Sequence, residues 1–231
     1  MRNNLIYQMY KGNIVRPRSF HTKPQGSVAS FLGDRECNDD SYVHSDDFLF
    51  SAVFDGHGGG NVSGFLREFY TKTVIEEIIN LTSESEYDEA QKLVESLVRA
   101  DNDQNLVKVA HRSGSTAALL LLFRTGDNYK FITAYLGNSR IVVGRAGSIA
   151  TDLSVDHNPN MLRERLRVER LGGKVEWDGP VELDGSAKIG GRGRHRIGAL
   201  AMSRAIGKIC ATSWREGAAS LTQIGYRNYL L

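Results

Sequence analysis

The sequence predicts an α+β domain in which strands and helices occupy separate parts of the chain. A strong apolar run at 48–54 precedes two stretches with helical periodicity, and three further strand-like stretches follow them. This order is typical of a layered α+β fold, because a doubly wound sheet alternates strands and helices regularly. With 231 residues, 41% of them hydrophobic, the chain is long enough for one domain with a substantial core.

Hydrophobic spacing predicts the first strand and the two helices. The run at 48–54 stops at Asp55-Gly56, so we expect a buried strand that delivers a carboxylate at its end. Apolar residues recur at helical spacing between 61 and 80 and again between 87 and 98. Each stretch therefore predicts a helix with one buried face.

Three strand-like stretches come next and predict an antiparallel meander. They lie at 115–123, 130–136 and 140–144, with Gly126-Asp127-Asn128 and Gly137-Asn138 as the turns between them. We therefore expect each stretch to pair with the one before it.

The rest of the chain divides into a surface helix, a short strand and two terminal segments. The charged stretch 161–171 predicts a helix that ends at Gly172-Gly173, and 175–177 predicts a strand. Residues 1–26 are basic and predict a solvated arm, with organelle targeting as the alternative. We expect the domain itself to cover residues 27–208, followed by a tail at 209–231 without a clear period.

Charge and cysteine content exclude several classes of protein. Lys and Arg number 29 against 27 Asp and Glu, a net charge of +2, so we expect neither nucleic acid nor a membrane as partner. The longest apolar run, 117–123, is far shorter than the roughly 20 residues of a membrane span. Two cysteines are too few for a disulfide scaffold, which favours an intracellular protein, cytoplasmic or nuclear.

Carboxylates and glycines gather at two places that suit a hard cation. Arg35 precedes the pair Asp39-Asp40, and Asp55-Gly56-His57 places a carboxylate and an imidazole at a strand end. Oxygen ligands of this kind suit Mg²⁺ or Mn²⁺, and a glycine lets a backbone carbonyl approach a metal closely. The P-loop, HExxH, CxxC and GxSxG signatures are absent from the sequence, so kinases, zincins and serine hydrolases lack direct support.

Taken alone, each group also has a simpler interpretation. Arg35 with the two aspartates could form a surface ion pair, and residues 55–58 could form a glycine-rich turn. The arginine-rich stretch 190–196 could contact RNA, although a solvated loop is the favoured interpretation.

Seven short motifs occur in order between residues 27 and 208. They are Arg35-x-x-Asn38-Asp39-Asp40-Ser41, Val53-Phe54-Asp55-Gly56-His57-Gly58-Gly59, Gly114-Ser115-Thr116-Ala117, Leu136-Gly137-Asn138-Ser139-Arg140, Asp156-His157-Asn158-Pro159, Glu164 with Leu171-Gly172-Gly173-Lys174-Val175, and Leu200-Ala201-Met202-Ser203-Arg204-Ala205-Ile206-Gly207. Together they resemble the metal-dependent protein serine/threonine phosphatases of type 2C, the PPM-type phosphatases. The resemblance implies an antiparallel β-sandwich flanked by helices, in α-β-β-α layers, with two metal ions at one edge.

The resemblance also implies a metal site. Asp55 would bridge two Mn²⁺ or Mg²⁺ ions, and the Gly56 carbonyl would hold one of them. Asp39 would contact the same site partly through water, with Asp40 beside it as support. Such ions generate a nucleophilic hydroxide at neutral pH.

Two further residues would carry the chemistry of a phosphatase that acts on phosphoproteins. Arg35 would bind the phosphate bidentately, and His57 would protonate the departing serine or threonine alkoxide. Dephosphorylation then needs no covalent intermediate, and we expect a monomer.

The chain departs from the family pattern at three places. Asn138 stands where the family usually has Asp, and Lys208 follows Gly207 where the family usually has Asp. The family's later aspartate motifs have no counterpart after Gly207. We therefore expect a C-terminally truncated member whose sheet is incomplete and whose second metal site is weak. The alternative function is a catalytically inactive, phosphatase-like module that binds phosphoproteins.

Overall fold

A computed structural model gives the architecture of the chain and confirms the predicted α+β class with antiparallel sheets. It describes residues 6–9, 24–75, 77, 86–125, 128–144, 147, 149–180, 193–207 and 225–230. In chain order the elements are β1 (Ile6–Met9), β2 (Gly26–Ala29), β3 (Ser41–His44), β4 (Phe50–Phe54), β5 (Gly56–His57), α1 (Asn61–Phe69), α2 (Glu86–Asp101), α3 (Gln104–Val109), β6 (Gly114–Ser115), β7 (Ala117–Thr125), β8 (Asn128–Leu136), β9 (Val142–Val143), β10 (Thr151–Asp152), α4 (Leu162–Arg170), β11 (Glu176–Trp177), β12 (His195–Arg196), β13 (Ile206–Gly207) and β14 (Gly225–Leu230).

A five-stranded antiparallel sheet, in the order β14-β8-β7-β4-β3, forms the centre of the fold. β4 begins two residues later than the apolar run predicts, because a turn occupies its start. In this turn Phe48 adopts a left-handed φ of 56°, and the Asp47 carboxylate accepts the Leu49 N–H at 3.1 Å. Sequence hydrophobicity therefore located the strand, and the turn set its first residue.

Helices cover one face of this sheet. Phe50 and Phe54 are fully buried against Tyr70, with ring centroids 5.7 and 5.4 Å away. Tyr70 opens a π-helical turn, Tyr70–Val74, that continues α1 as the predicted helix requires. Its hydroxyl lies 3.0 Å from the Ser96 hydroxyl of α2, which joins the two predicted helices. In the described part of the chain, no helix is long and apolar enough to cross a membrane.

The opposite face of the sheet carries a smaller β layer, and here the predicted meander is partly wrong. β7 and β8 pair as expected, but β9 leaves the sheet and pairs with β10. Leu153 then packs with Leu122 and Phe131 in a second buried cluster. The strand-like pattern at 140–144 thus reflects packing against the sheet rather than membership of it.

Local signals explain the remaining elements of the middle region. α4 ends as predicted, where Gly172 takes a φ of 85°, and β11 pairs with β12. The sequence interpretation missed α3, a six-residue helix whose first turn is capped by Asp103, which accepts the Asn105 N–H at 2.7 Å. An Asp at this position favours a helix start.

Two strands lie in the terminal segments. β1 pairs with β2, although the sequence predicted a solvated arm, and β14 pairs with β8 along its six residues, although the sequence predicted no regular pattern. Residues 225–230 of the predicted tail therefore extend the central sheet. Gly126, Asp127, Lys208, Cys210 and 190–192 lie outside the described residues.

A buried ion pair joins α4 to the segment before β13. Glu164 has no exposed surface, and its carboxylate accepts hydrogen bonds from Arg204 Nε at 2.8 Å and Nη2 at 2.6 Å. The Ser203 hydroxyl donates to the same carboxylate at 2.7 Å, and Arg167 Nη2 donates at 3.0 Å. Burial alone would raise the pKa of Glu164, but these donors hold it at about 2.

His157 connects this ion pair to the turn after β8. Its ring Nδ1 accepts the Gly137 N–H at 3.1 Å, and its backbone N–H donates to the Gly137 carbonyl at 2.8 Å. Its carbonyl accepts the Ser203 N–H at 2.9 Å. Burial, with the nearby charge of Arg204, lowers the pKa of His157 to about 4, so the imidazole is neutral at physiological pH.

We predict that Glu164→Gln lowers the free energy of unfolding by about 3–5 kcal/mol, because it leaves the Arg204 charge buried without its counterion. Glu169→Gln is the matched control on the same helix, since Glu169 pairs with Arg165 at 2.7 Å on the exposed surface. That change should cost at most about 0.5 kcal/mol. Urea unfolding measures both, and equal costs would contradict a special role for the buried pair.

We also predict a loss of stability as the pH falls from about 6.5 towards 4. Unfolded His157 takes up a proton below its usual pKa of 6.5, whereas the folded imidazole resists protonation until about 4. His157→Asn should therefore be less stable at pH 7.5 but lose less stability across this window. Urea midpoints at several pH values test the prediction, and parallel profiles for native protein and variant would refute it.

Candidate active site

The backbone of Asp55 is fixed where β4 ends. Its carbonyl accepts the Thr116 N–H at 2.9 Å, and its N–H donates to the Thr116 hydroxyl at 3.2 Å. The Ser115 hydroxyl donates to the same carbonyl at 3.2 Å. Because these bonds come from the end of β6 and the residue between β6 and β7, the Asp55 backbone leaves the sheet edge at a defined position.

A three-stranded sheet in the order β13-β6-β5 lies next to this position. Gly114 pairs with His57 on one side and with Gly207 on the other. A Cβ on Gly114 would lie 2.6 Å from His57 Nε2, so only glycine fits between the strands. The Asp101 carboxylate accepts the Gly207 N–H at 3.1 Å and fixes the far strand.

Gly56 brings the segment of Asp39 against the strand end. A Cβ on Gly56 would lie 2.1 Å from the Asp39 carbonyl oxygen, so any side chain at this position would displace that backbone. The buried Ser63 hydroxyl of α1 donates to the same carbonyl. These contacts place Asp39 and Asp40 beside Asp55, although 15 residues separate Asp40 from Asp55 in the chain.

Several of the predicted site residues influence the carboxyl group of Asp40. Burial raises the pKa of Asp40, and the charge of Asp39 raises it further. The charge of Arg35 opposes this rise, as do hydrogen bonds to the Asp40 carboxyl from the Gly56 N–H and with the Asp55 side chain. The structure thus brings together five of the six predicted site residues.

These residues supply the kind of ligand atoms that a hard cation binds. The oxygen donors are the Asp40 and Asp55 carboxyl groups, which share a hydrogen bond, the Asp39 carboxylate nearby and the Gly56 carbonyl. Mg²⁺ usually binds one or two carboxylates and keeps several waters. In the described part of the chain, no group of three or more His, Cys, Asp or Glu side chains is arranged to enclose an ion. The described residues therefore supply oxygen donors of the right kind, but their side chains do not form a ready enclosure for an ion.

His57, the sixth predicted residue, occupies an unexpected position. Both ring nitrogens are buried, and neither has a hydrogen-bond partner within the described structure. Burial lowers the pKa of His57, and the charge of Asp39 only partly offsets this effect. A proton donor to a bound phosphoester has to reach it, so the predicted role requires the ring to leave this position.

Four hydroxyl groups support the site, and the sequence interpretation assigned none of them a role. Ser115 and Thr116 hold Asp55, Thr116 also hydrogen-bonds to Ser139, and Ser63 holds Asp39. Ser115, Thr116 and Ser139 lie inside motifs that carry the family resemblance, so their role could have been suspected. Ser63 has no such signal, because a serine on a helix is usually unremarkable.

Comparison with known proteins identifies the family of this chain. The family described as protein phosphatase 2C matches residues 24–217. A probable protein phosphatase 2C 11 of Arabidopsis thaliana is 34% identical over 63% of this chain and 37% of its own length. A protein phosphatase 1K, mitochondrial, of Xenopus laevis is 30% identical over 77% of this chain and 45% of its own length. The chain spans less than half the length of these relatives.

Solved structures share the fold at lower identity. A serine-threonine phosphatase 2C from Toxoplasma gondii has a TM-score of 0.56 at 23% identity, covering 87% of this chain and 71% of its own. A C. elegans sex determining protein has a TM-score of 0.62 at 22% identity, covering 98% of this chain and 48% of its own. The ordered motifs, the carboxylate edge and a family match over most of the chain lead to one conclusion: this chain belongs to the protein phosphatase 2C family.

Proposed function

We propose that this chain hydrolyses phosphoserine and phosphothreonine in proteins with the help of Mn²⁺ or Mg²⁺. The observation that carries the proposal is the grouping of Arg35, Asp39 and Asp55 around Asp40 at the end of β4, in a chain of this family. A positive guanidinium beside a group of carboxylates is an arrangement that can hold a phosphate and a divalent cation together.

Each residue then has a defined task. Asp55, Asp39 and the Gly56 carbonyl hold the ion, and Asp40 supports them through its hydrogen bonds. A bound ion supplies a nucleophilic water at neutral pH and neutralises phosphate charge. Arg35 binds and orients the phosphate bidentately, and His57 delivers a proton to the leaving oxygen after its ring turns towards the site.

An inactive phosphoprotein-binding module is the second candidate. It is favoured by the absence, within the described residues, of any group of three or more His, Cys, Asp or Glu side chains arranged to hold an ion. Such a module keeps the Arg35 pocket but turns over little or no substrate.

Substrate, location and assembly remain predictions. We expect a phosphoprotein substrate, a monomer, and an intracellular location in the cytoplasm or nucleus. Because the Xenopus relative is named mitochondrial and residues 1–33 contain no acid, mitochondrial targeting is the alternative to test.

We predict that hydrolysis of a phosphothreonine peptide requires Mn²⁺ or Mg²⁺ and is abolished by Asp55→Asn, because this change removes the central ligand charge.

Arg35→Ala should chiefly raise KM, by about 10- to 100-fold, since a charged hydrogen bond to phosphate is lost. Steady-state kinetics with and without excess EDTA measure both effects. Turnover that persists in EDTA would refute the metal mechanism. Peptide binding without turnover, lost in Arg35→Ala, would favour the inactive module.

We predict that Gly56→Ala weakens Mn²⁺ binding and destabilises the fold, because the new methyl group meets the Asp39 carbonyl. Gly64→Ala is the matched control: Gly64 lies in α1, and a Cβ there meets nothing within 4 Å. It should stabilise the protein by roughly 0.5–1 kcal/mol and leave Mn²⁺ binding intact. Calorimetry and urea unfolding provide the readouts, and native Mn²⁺ affinity in Gly56→Ala would argue against the proposed ligand geometry.

A further inference from the structure

The loop at 30–38 presents Arg35 to solvent. All nine of its residues are exposed, and a hydrogen bond from Asn38 Nδ2 to the Ser30 hydroxyl at 2.6 Å closes its base. Asn38 Oδ1 also accepts the Asp40 N–H at 3.0 Å, which ties the loop to the carboxylate group. Gly33 takes a φ of 61°, a left-handed conformation that turns the chain between the two ends of the loop.

Two large apolar side chains lie on this same loop. Phe31 is 68% exposed and Leu32 is 42% exposed, so both meet water directly beside the phosphate-binding segment. Single exposed apolar residues are common on protein surfaces, but adjacent ones at a binding site offer apolar area that a ligand can bury.

The length of the chain limits how far this apolar pair can lie from the phosphate. Phe31 is four residues from Arg35, and an extended chain spans at most about 3.5 Å per residue, so their Cα atoms are within about 14 Å. A bound substrate peptide in extended form covers that distance in four residues. The apolar pair is therefore within reach of side chains that flank the phosphorylated residue.

We infer that Phe31 and Leu32 bind an apolar side chain of the phosphoprotein substrate, within four residues of the phosphoserine or phosphothreonine. This inference rests on the proposed function and adds sequence selectivity to it. Arg35 recognises the phosphate, which every substrate shares. Phe31 and Leu32 distinguish substrates by the apolar residue that lies within four positions of the phosphorylated one.

Another exposed apolar residue shows why position matters. Ile149 is 93% exposed, in the connection between β9 and β10, and the predicted site residues lie on other segments. Exposure alone therefore does not identify a substrate contact, and Ile149 serves as the matched control.

The test scans leucine through positions −4 to +4 of a phosphothreonine peptide with an alanine background. The native chain should hydrolyse at least one leucine peptide with a kcat/KM about tenfold above the all-alanine peptide, because burial of the side chain adds affinity. Phe31→Ser should reduce this preference to less than about twofold. Phe31→Leu should retain most of it, and Ile149→Ser should retain all of it.

The outcomes separate this inference from the proposed function. Turnover without leucine preference in the native chain, or a preference that Phe31→Ser leaves intact, overturns the inference alone. If no peptide is hydrolysed, the proposed function fails and fluorescence anisotropy of the same labelled peptides decides the inference. A leucine preference in binding that is lost in Phe31→Ser supports it, whereas equal binding of all peptides, or no binding, overturns it. Thermal unfolding checks that each variant is folded.

Discussion

The buried ion pair between Glu164 and Arg204 is the interaction on which the rest of the site depends. It takes two charges out of water, and only a full set of hydrogen bonds makes that burial tolerable. Here the Glu164 carboxylate accepts hydrogen bonds from two nitrogens of the Arg204 guanidinium, from the Ser203 hydroxyl and from Arg167. The pair is thereby confined to one geometry, and the segments that carry it are fixed to one another.

That constraint extends to the site through short strands. Arg204 stands two residues before β13, which pairs with β6, and β6 pairs in turn with β5 next to Asp55. None of these strands is longer than two residues, so each depends on its neighbours for position. The central strand carries a glycine at its contact with both neighbours, because a methyl group at Gly114 would meet the His57 ring and the Ile206 carbonyl. A rigid buried pair at one end can therefore hold a carboxylate at the other.

Much of this arrangement could be predicted from the sequence, and the errors have physical causes. Hydrophobic patterning located β4, α1 and α2, the charged stretch that stops at Gly172-Gly173 located α4, and the ordered motifs identified the family. Periodicity failed at 140–144, where an apolar pattern serves packing on a sheet face, and at 225–230, where the strand depends on β8 as its partner. The ring position of His57 depends on Gly114, which lies 57 residues away in the chain, and such a contact leaves no local signal.

Hydrogen–deuterium exchange in Glu164→Gln, with Glu169→Gln beside it, tests most directly whether the buried pair holds the site. The account predicts faster exchange at 203–207 and also at 114–116 and 55–57, because the short strands lose their anchor together. The Glu169 variant should exchange like the native protein at these amides. Faster exchange confined to 203–205, with native protection at 114–116 and 55–57, would contradict the account.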